Sequence, residues 1–444
     1  MKLNYLTFFV LSLCLPAMGF SQNYIGHRID NYAGIHGVMY NPANVFDSRM
    51  RADINLFSAG INFGNDYAGI GLSSLNANEE GFSFEDDADL NPTNTNNFYA
   101  NVDVMGPSFM FNLNSKSSIG LITRVRGLFN LHNINGELYQ NIVDDFDTEE
   151  NFNFDLNSLN GNLHAYAEIG LVYGRVLLDK QTHFLKGGAT LKYLAGGGGL
   201  FTNTSNLSGN YSAAQEQVNV NGSFTYGTTA DFDNQDIDFT ETSSGFGADL
   251  GVVYEWRPDD SNLGMRGQNK YKLKLGLSVT DIGSINYDAG KVTRYAANNV
   301  TINESEFDEK DIQEILDDNF AGQETTETVT MVLPTALHFA ADYKLKNKLY
   351  LNLQTSLSMV SPESQQASRM GNVATLSPRF ESKWLSAYMP LSLRQYDGFA
   401  WGFGLRAGPL TIGSSTILTN LISESSKGAD VYVGLKVPIY QKSR

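Results

Sequence analysis

The sequence predicts an all-β protein, a transmembrane antiparallel β-barrel of about 14 strands. Three observations predict it. Apolar and polar residues alternate with period two over stretches of about ten residues, the length a tilted strand needs to cross a bilayer. No long apolar run follows the N-terminal segment, so the chain offers no helical span. The composition, with 12% aromatic and only 18% charged residues and 42 Gly among 444 residues, falls below the roughly 25% charge of soluble domains. A chain that must satisfy its backbone in lipid without helices has one route left, which is to close its strands into a cylinder.

Residues 1–21 read as a secretory signal. Lys2 stands in a short n-region, an apolar stretch runs from Leu6 to Leu15, Pro16 follows, and small residues at Ala17, Gly19 and Ser21 suit cleavage after Ser21. That apolar core is only half as long as a spanning helix requires, about 20 residues. The single cysteine, Cys14, lies inside this segment behind Leu13 instead of the small residue a lipoprotein anchor would carry. The processed chain is therefore expected to lack disulfides, thiolate nucleophiles and Cys-ligated metals.

The clearest staves come next. In Tyr271–Asp281 the odd positions are Tyr271, Leu273, Leu275, Leu277 and Val279, against Lys272, Lys274, Gly276, Ser278 and Thr280. Leu349, Leu351, Leu353 and Leu357 alternate with Lys348, Tyr350, Asn352, Gln354 and Ser356. Phe399, Trp401, Phe403 and Leu405 alternate with Ala400, Gly402, Gly404 and Arg406, and Val431, Val433, Leu435, Val437 and Ile439 with Asp430, Tyr432, Gly434, Lys436 and Pro438. Weaker alternation occurs near 52–64, 66–74, 98–112, 116–130, 161–178, 184–195, 245–257, 335–345, 372–382, 384–394 and 409–419. A soluble sandwich also alternates, but it seldom sets glycine after glycine on the opposite face.

Charge is distributed to match. Four stretches, 79–90, 144–155, 231–241 and 304–318, hold 25 of the 48 acidic residues and one base, Lys310; since the whole chain is −17, the remainder is net positive. Acid is thus concentrated in expected loops, and loops of that sign argue against a nucleic-acid partner. Ser305–Phe320 is the one good helix, with Ser305 as N-cap and Phe307, Ile312, Ile315 and Leu316 on one side, an apolar face suited to a partner's groove.

Tyr40-Asn41-Pro42-Ala43-Asn44 resembles the N-terminal Asn-Pro-Ala motif of the fatty-acid-transporter-like superfamily of outer-membrane barrels, which includes 14-stranded fatty-acid channels and barrel subunits associated with type IX secretion. Gly106–Phe111, Ser278–Ile285, Pro390–Arg394, Asp397–Phe399, Gly404–Pro409 and Tyr432–Ile439 are similar, in that order, to a family of such barrels without an assigned substrate. The resemblance implies a hatch, residues 22–50, folded into the lumen of a barrel made by 51–444, with Asn41, Pro42, Ala43 and Asn44 as its motif. It also implies an outer-membrane location, in contact with membrane lipid and lipopolysaccharide. Asn41 suits a cap, Pro42 a first helical position, and Gly26, Gly34 and Gly37 close packing; the plainer reading of the same residues is a simple turn.

Lumen-facing parity collects Arg124, Arg126, His164, Glu168, Lys192, Asp249, Glu255, Lys272, Lys274, His338, Asp342, Arg379, Glu381, Arg394, Arg406 and Lys436. Mixed signs in a confined space point to a paired network holding hatch to wall, since unpaired buried charge is costly. The sharper alternative is a constriction in which Arg124, Arg126 and Arg406 favour anions or a carboxylate head group. The six histidines show no metal-ligand spacing. Asp231–Asp238 is oxygen-rich but lacks the glycine and closing Glu of a calcium loop, and Ala195–Leu200 lacks the Lys-Ser or Lys-Thr of a phosphate loop and reads as a strand-to-loop turn. No nucleophile elbow or triad is present, so neither enzyme activity nor a cofactor is expected. Two functions remain: a hatch-plugged channel or binding barrel for small hydrophobic or amphipathic molecules, or a non-transporting accessory or docking subunit for a secretion-system protein or surface complex.

Overall fold

The period-two staves close into a cylinder. A computed structural model describes residues 24–71, 88–144, 146, 148–229, 243–258, 267–310 and 312–441. Fourteen antiparallel staves run in sequence order: β1 Met50–Asn65, β2 Asn96–Met105 continued by Ser108–Asn112, β3 Ser117–Ile134, β4 Asn160–Asp179, β5 His183–Thr204, β6 Ser244–Trp256, β7 Leu273–Asn303, β8 Ala336–Lys346, β9 Leu349–Ser358, β10 Val373–Glu381, β11 Leu385–Tyr388 continued by Leu391–Arg394, β12 Gly398–Trp401 continued by Phe403–Ala407, β13 Leu410–Ser414 and β14 Gly428–Tyr440. Closure comes from β14 pairing with β1, from Met50 opposite Tyr440 to Gly64 opposite Gly428, so no edge is left unpaired. The outer surface is apolar: Leu171, Leu191, Leu250, Leu277, Leu353, Leu393 and Ile412 point outward and are exposed, while the intervening residues of each stave are buried. Trp256, Tyr343 and Trp384 mark one side of this band and Phe63, Phe246 and Phe399 the other, as two interfacial girdles do. No helix among the described residues is long and apolar enough to cross a membrane.

The two rims differ. One carries Met50, Tyr440, short connections such as Lys346 to Leu349 and Ala407 to Leu410, and the longer connection from Trp256 to Leu273; the other carries the remaining long ones. Several expectations need correction here. Of the stretch 66–74, the described residues 66–71 are not a stave: Ala68–Ile70 pairs with Ala88–Leu90 in a separate two-stranded ribbon above the long-loop rim. The stave begun at 409 ends at Ser414, and Ile417–Ile422 is helical. The glycine run 195–200 does not end a strand, because β5 continues to Thr204 through a bulge at Gly198, whose φ of 134° only glycine adopts readily. Residues 1–21, most of 79–90 and the Asp231–Asp238 run lie outside the described residues.

The largest addition is a cap. β5 and β7 overshoot the rim, and their upper halves pair with Gln217–Thr228, which continues through Ser208–Ser212 to Phe152–Asp155; Ala321–Val332 adds to the other side of β7. This sheet has its own core, in which Phe152, Phe154, Tyr211, Val218, Val220 and Ile302 pack against Leu138, Ile315 and Phe320. The expected helix 305–320 is two pieces, Ser305–Glu309 and Ile312–Asn319, with Glu304 and not Ser305 at the first N-cap position. Its Phe307, Ile315 and Leu316 are used by the cap's own core. Runs as short as Phe152–Asp155 and Ser208–Ser212 fall below the length of a spanning stave, so the sequence by itself places the cap among the loops.

The segment Tyr24–Arg49 lies inside the cylinder, wound into a short α-helix, Ile35–Tyr40, and a 3-10 turn, Pro42–Val45. It sits on a shelf of wall glycines. A Cβ on Gly188 of β5 would fall 2.5 Å from Pro42 and Ala43 backbone atoms, one on Gly251 of β6 2.3 Å from Asn41 Oδ1, and one on Gly174 of β4 2.3 Å from Val45. These glycines are cross-strand neighbours, Gly174 opposite Gly188 and Gly188 opposite Gly251, so the wall is locally bare backbone. Replacing Gly188 by Leu should therefore unseat the segment while leaving the outward face intact. In planar bilayers Gly188→Leu is expected to raise single-channel conductance several-fold, and trypsin should gain access to Arg28 and Arg49.

Candidate functional site

The lumen is filled in layers, and the inward segment forms the lowest. Asn41 accepts the amide of Ala43 (3.0 Å) and donates through Nδ2 to Val252 O (3.1 Å) and Leu277 O (3.2 Å); Pro42 starts the 3-10 turn without needing a hydrogen on its nitrogen. Asn44 donates to Gly37 O (3.0 Å). Tyr40 donates to Phe339 O (2.8 Å) and accepts at its carbonyl from Ser278 (2.6 Å). The aromatic rings of Tyr24, His27 and His36 cluster with Tyr388 and Tyr432 of the wall, His36 lying 4.5 Å from Tyr24 and 5.1 Å from His27 between ring centres.

Charged residues lock this segment to the wall. Arg406 Nε meets Asp30 at 3.0 Å, Arg257 meets Asp47 at 2.7 Å, and Glu381 accepts from Asn31 Nδ2 at 3.0 Å. Lys436 donates to the Tyr32 and Ala33 carbonyls (2.6 and 2.8 Å), and Asp53 accepts the Ile35 amide (2.9 Å). Gly34, with φ 64°, passes so close to Asp53 that any side chain would overlap the carboxylate. Arg379 bridges Asp342 and Glu381, both at 2.9 Å.

Next towards the long-loop rim is a continuous ion network. Arg124 pairs with Asp103 and with Glu168 (3.2 Å), Arg126 with Asp281 (2.8 Å), and Lys192 with Asp281 (2.6 Å) and Asp249 (2.8 Å). Arg394 pairs with Asp397 (2.9 Å) and Asp430 (3.1 Å). His164 contacts the Tyr287 hydroxyl at 3.1 Å, and His338 contacts Thr280 and Ser356. Arg124, Arg126, His164, Glu168, Arg379, Arg394 and Arg406 are all buried, but the five arginines are each engaged by carboxylates. Parity misplaced two residues. Tyr271 points inward, donating to Asp342 and hydrogen-bonded to Asn31, because the stave starts only at Leu273. Lys272 leaves the lumen, its ammonium lying 4.6 Å from the ring of outward-facing Tyr343.

Beside the ion network one side of the lumen is apolar. Leu128, Tyr166, Leu194, Phe201 and Ile285, on neighbouring staves β3, β4, β5 and β7, pack with Met331 and Leu333 into a buried patch. The connection 359–372 enters from the long-loop rim and reaches down to the network: Asn130 exchanges two hydrogen bonds with the Arg369 backbone (2.8 and 2.9 Å), Asn162 donates to Ser368 (3.1 Å), and Arg126 approaches Met370 Sδ at 3.9 Å. Sequence reasoning missed this inward loop. Its polar residues carry no period, and its partners lie more than 200 positions away in the chain.

Three buried or half-buried cations stand apart from the pairs. Arg28 donates to Gln354 (2.8 Å) and Ser356 (3.3 Å), Lys186 to Phe46 O (2.6 Å), and Lys274 to Asn31 Oδ1 (3.1 Å); none forms an ion pair within 4.0 Å among the described residues. All three line one small cavity of about 50 Å³ between inward segment and wall, together with Asp30, Asn41 and Glu255. Arg28 also borders a second small cavity, shared with Tyr24, Met39 and Met370. Among the described residues, no group of three or more His, Cys, Asp or Glu is placed to hold a metal ion.

Fold and interior together define a transmembrane β-barrel closed from both ends by its own chain. Residues 42–415 match a family described as a family of unknown function, DUF5723, and the chain belongs to that family. No curated protein matches it significantly in sequence. Among solved structures, the toluene transporter TodX of P. putida is similar with a TM-score of 0.46 and 9% identity, covering 93% of this chain and 95% of that one. A FadL homologue of Pseudomonas aeruginosa gives 0.45 and 11% over 95% and 100%, and the Ralstonia pickettii toluene transporter TbuX gives 0.44 and 10% over 92% and 95%.

Two outcomes follow from the pairing. Arg406→Ala leaves Asp30 buried without its cation, which should cost about 3–5 kcal/mol, read as a lower midpoint in heat-modifiable gel migration, with anion-to-cation selectivity unchanged. Acid should loosen the inward segment. Burial, with Lys436 nearby, lowers His36 to about 3, and burial and His36 push His27 well below its ordinary range. The seated segment therefore refuses protons that the released one, near the usual pKa of about 6.5, accepts. Seating weakens as pH falls from about 6.5, so conductance should rise between pH 7 and 4, and rise less in a His27→Gln/His36→Gln variant.

Proposed function

We propose that this chain is an outer-membrane barrel that binds small amphipathic molecules and passes them inward when the residue 24–49 hatch shifts on its glycine shelf. The observations that carry this reading are an apolar patch on one side of the lumen and a polar cavity nearer the short-loop rim that contains Arg28, Lys186 and Lys274 without ion-pair partners within 4.0 Å. A water-filled pore has no use for a lumen patch of Leu, Ile, Phe and Met, since solute passage there depends on polar walls. An apolar tail fits the patch, and an anionic head group fits the cations. The cation set differs from the expected Arg124, Arg126 and Arg406, whose charge is already neutralised in place. Asn41, Pro42, Ala43 and Asn44 serve as the pivot. The cavity of about 50 Å³ holds a few waters and no lipid, so uptake requires the hatch to move.

A second reading, an accessory or docking subunit of a secretion or surface complex, is favoured by the cap, a folded platform with its own core on the long-loop rim. Its partner would have to use a surface other than the helical apolar face, which the cap already covers.

Native mass spectrometry of the protein extracted from its own outer membrane in mild detergent separates the two. A bound lipid-sized anion is expected, with occupancy at least tenfold lower in Arg28→Ala/Lys274→Ala. A stoichiometric protein partner with no small ligand would overturn the channel in favour of the subunit.

A further inference from the structure

The outer face of the cap sheet is unusual for an exposed β-surface. Its inner face is the apolar core, and the outward positions carry amides and hydroxyls in register: Asn153 opposite Asn210, Asn210 opposite Asn219, and Asn219 opposite Thr301, across four strands. A parallel row sets Asp155 opposite Ser208 and Ser208 opposite Asn221. Asparagine is among the residues disfavoured in strands. An exposed strand face needing only solubility is better served by Thr, Lys or Glu, and this chain uses acid freely in its other long-loop segments. One carboxylate, Asp155, interrupts these two rows.

The face is also concave. The tip residues Asn94 and Asn133 rise beside it, and the resulting cleft of about 720 Å³ is lined almost wholly by neutral polar side chains. Some of these amides are committed: Asn219 accepts from Thr301 (2.8 Å), and Asn133 donates to Ser158 O (3.1 Å). The side-chain amides of Asn94, Asn153 and Asn210 make no hydrogen bond within the described protein, yet each offers two donors and an acceptor towards the cleft.

From this we infer that the cap cleft binds a neutral glycan. A ligand matched to this surface must be uncharged, extended and dense in groups that both donate and accept, since primary amides pair with hydroxyls in either sense. Sugar rings meet that description. A peptide would leave its side chains without pockets, and a nucleic acid or acidic polymer would find no cations. The site is independent of the lumen and of whatever passes through it.

The test uses the full-length protein in detergent, titrated by calorimetry with soluble malto-, cello-, xylo- and β-1,3-gluco-hexaoses, and with lipopolysaccharide and its deacylated polysaccharide as a second arm. Saturable binding of at least one uncharged hexaose is expected, weakened at least tenfold in both Asn153→Ala and Asn210→Ala. Each variant is first checked for native heat-modifiable migration, and Thr325→Ala, elsewhere on the cap, should bind like wild type. Binding of lipopolysaccharide that is lost on deacylation, binding of charged sugars alone, no binding in either arm, or binding that survives both asparagine variants would each overturn the proposal.

Discussion

Everything in this molecule follows from the need to satisfy charge inside a closed sheet. A cylinder of this circumference has a lumen too wide for wall side chains alone to fill. The chain fills it with polar material from both ends, the N-terminal hatch and the loop 359–372. That choice places more than a dozen ionised groups out of water, where a lone charge is intolerable and a paired one merely expensive. The pairs Arg406 to Asp30 and Arg257 to Asp47 are thus better understood as registration than as stabilisation. Each is satisfied only when hatch and wall are in one relative position.

The glycine shelf works with the charges. Salt bridges attract over several ångströms and tolerate rotation, whereas contact between Pro42 and the bare backbone at Gly188 is steric and sharp. Together they define one seat for the segment, reinforced where Ile35, Val38 and Val45 pack against Met105, Met110, Ile122 and Val172 of the wall. The three cations outside the pairing scheme then stand out by contrast, since a network that pairs so many of its charges leaves Arg28, Lys186 and Lys274 around the cavity between inward segment and wall.

The cap obeys a different rule. Above the rim, β5 and β7 lose lipid on one side and must bury an apolar face again, which they do against helices from the same excursion. The face left over is free of both lipid and core constraints, and its asparagine rows are the least explained by folding of any surface on the protein.

The alternation of Leu353 with Gln354, or Leu435 with Lys436, was enough by itself to determine a barrel, its approximate strand number and the sorting of residues into lumen and lipid sets. The pleat imposes that pattern locally, so no distant contact is needed to read it. The same locality explains the misreadings. Tyr271 lies two residues before its stave and obeys no parity, and residues 66–71 alternate without becoming a stave of the barrel. What the lumen charges do was decided only in three dimensions. Arg126 and Asp281 are separated by 155 positions and Arg406 and Asp30 by 376, and the same arginine would be a selectivity filter or a structural pin according to whether a carboxylate arrives beside it. That depends on barrel closure and hatch seating, which no local sequence pattern encodes.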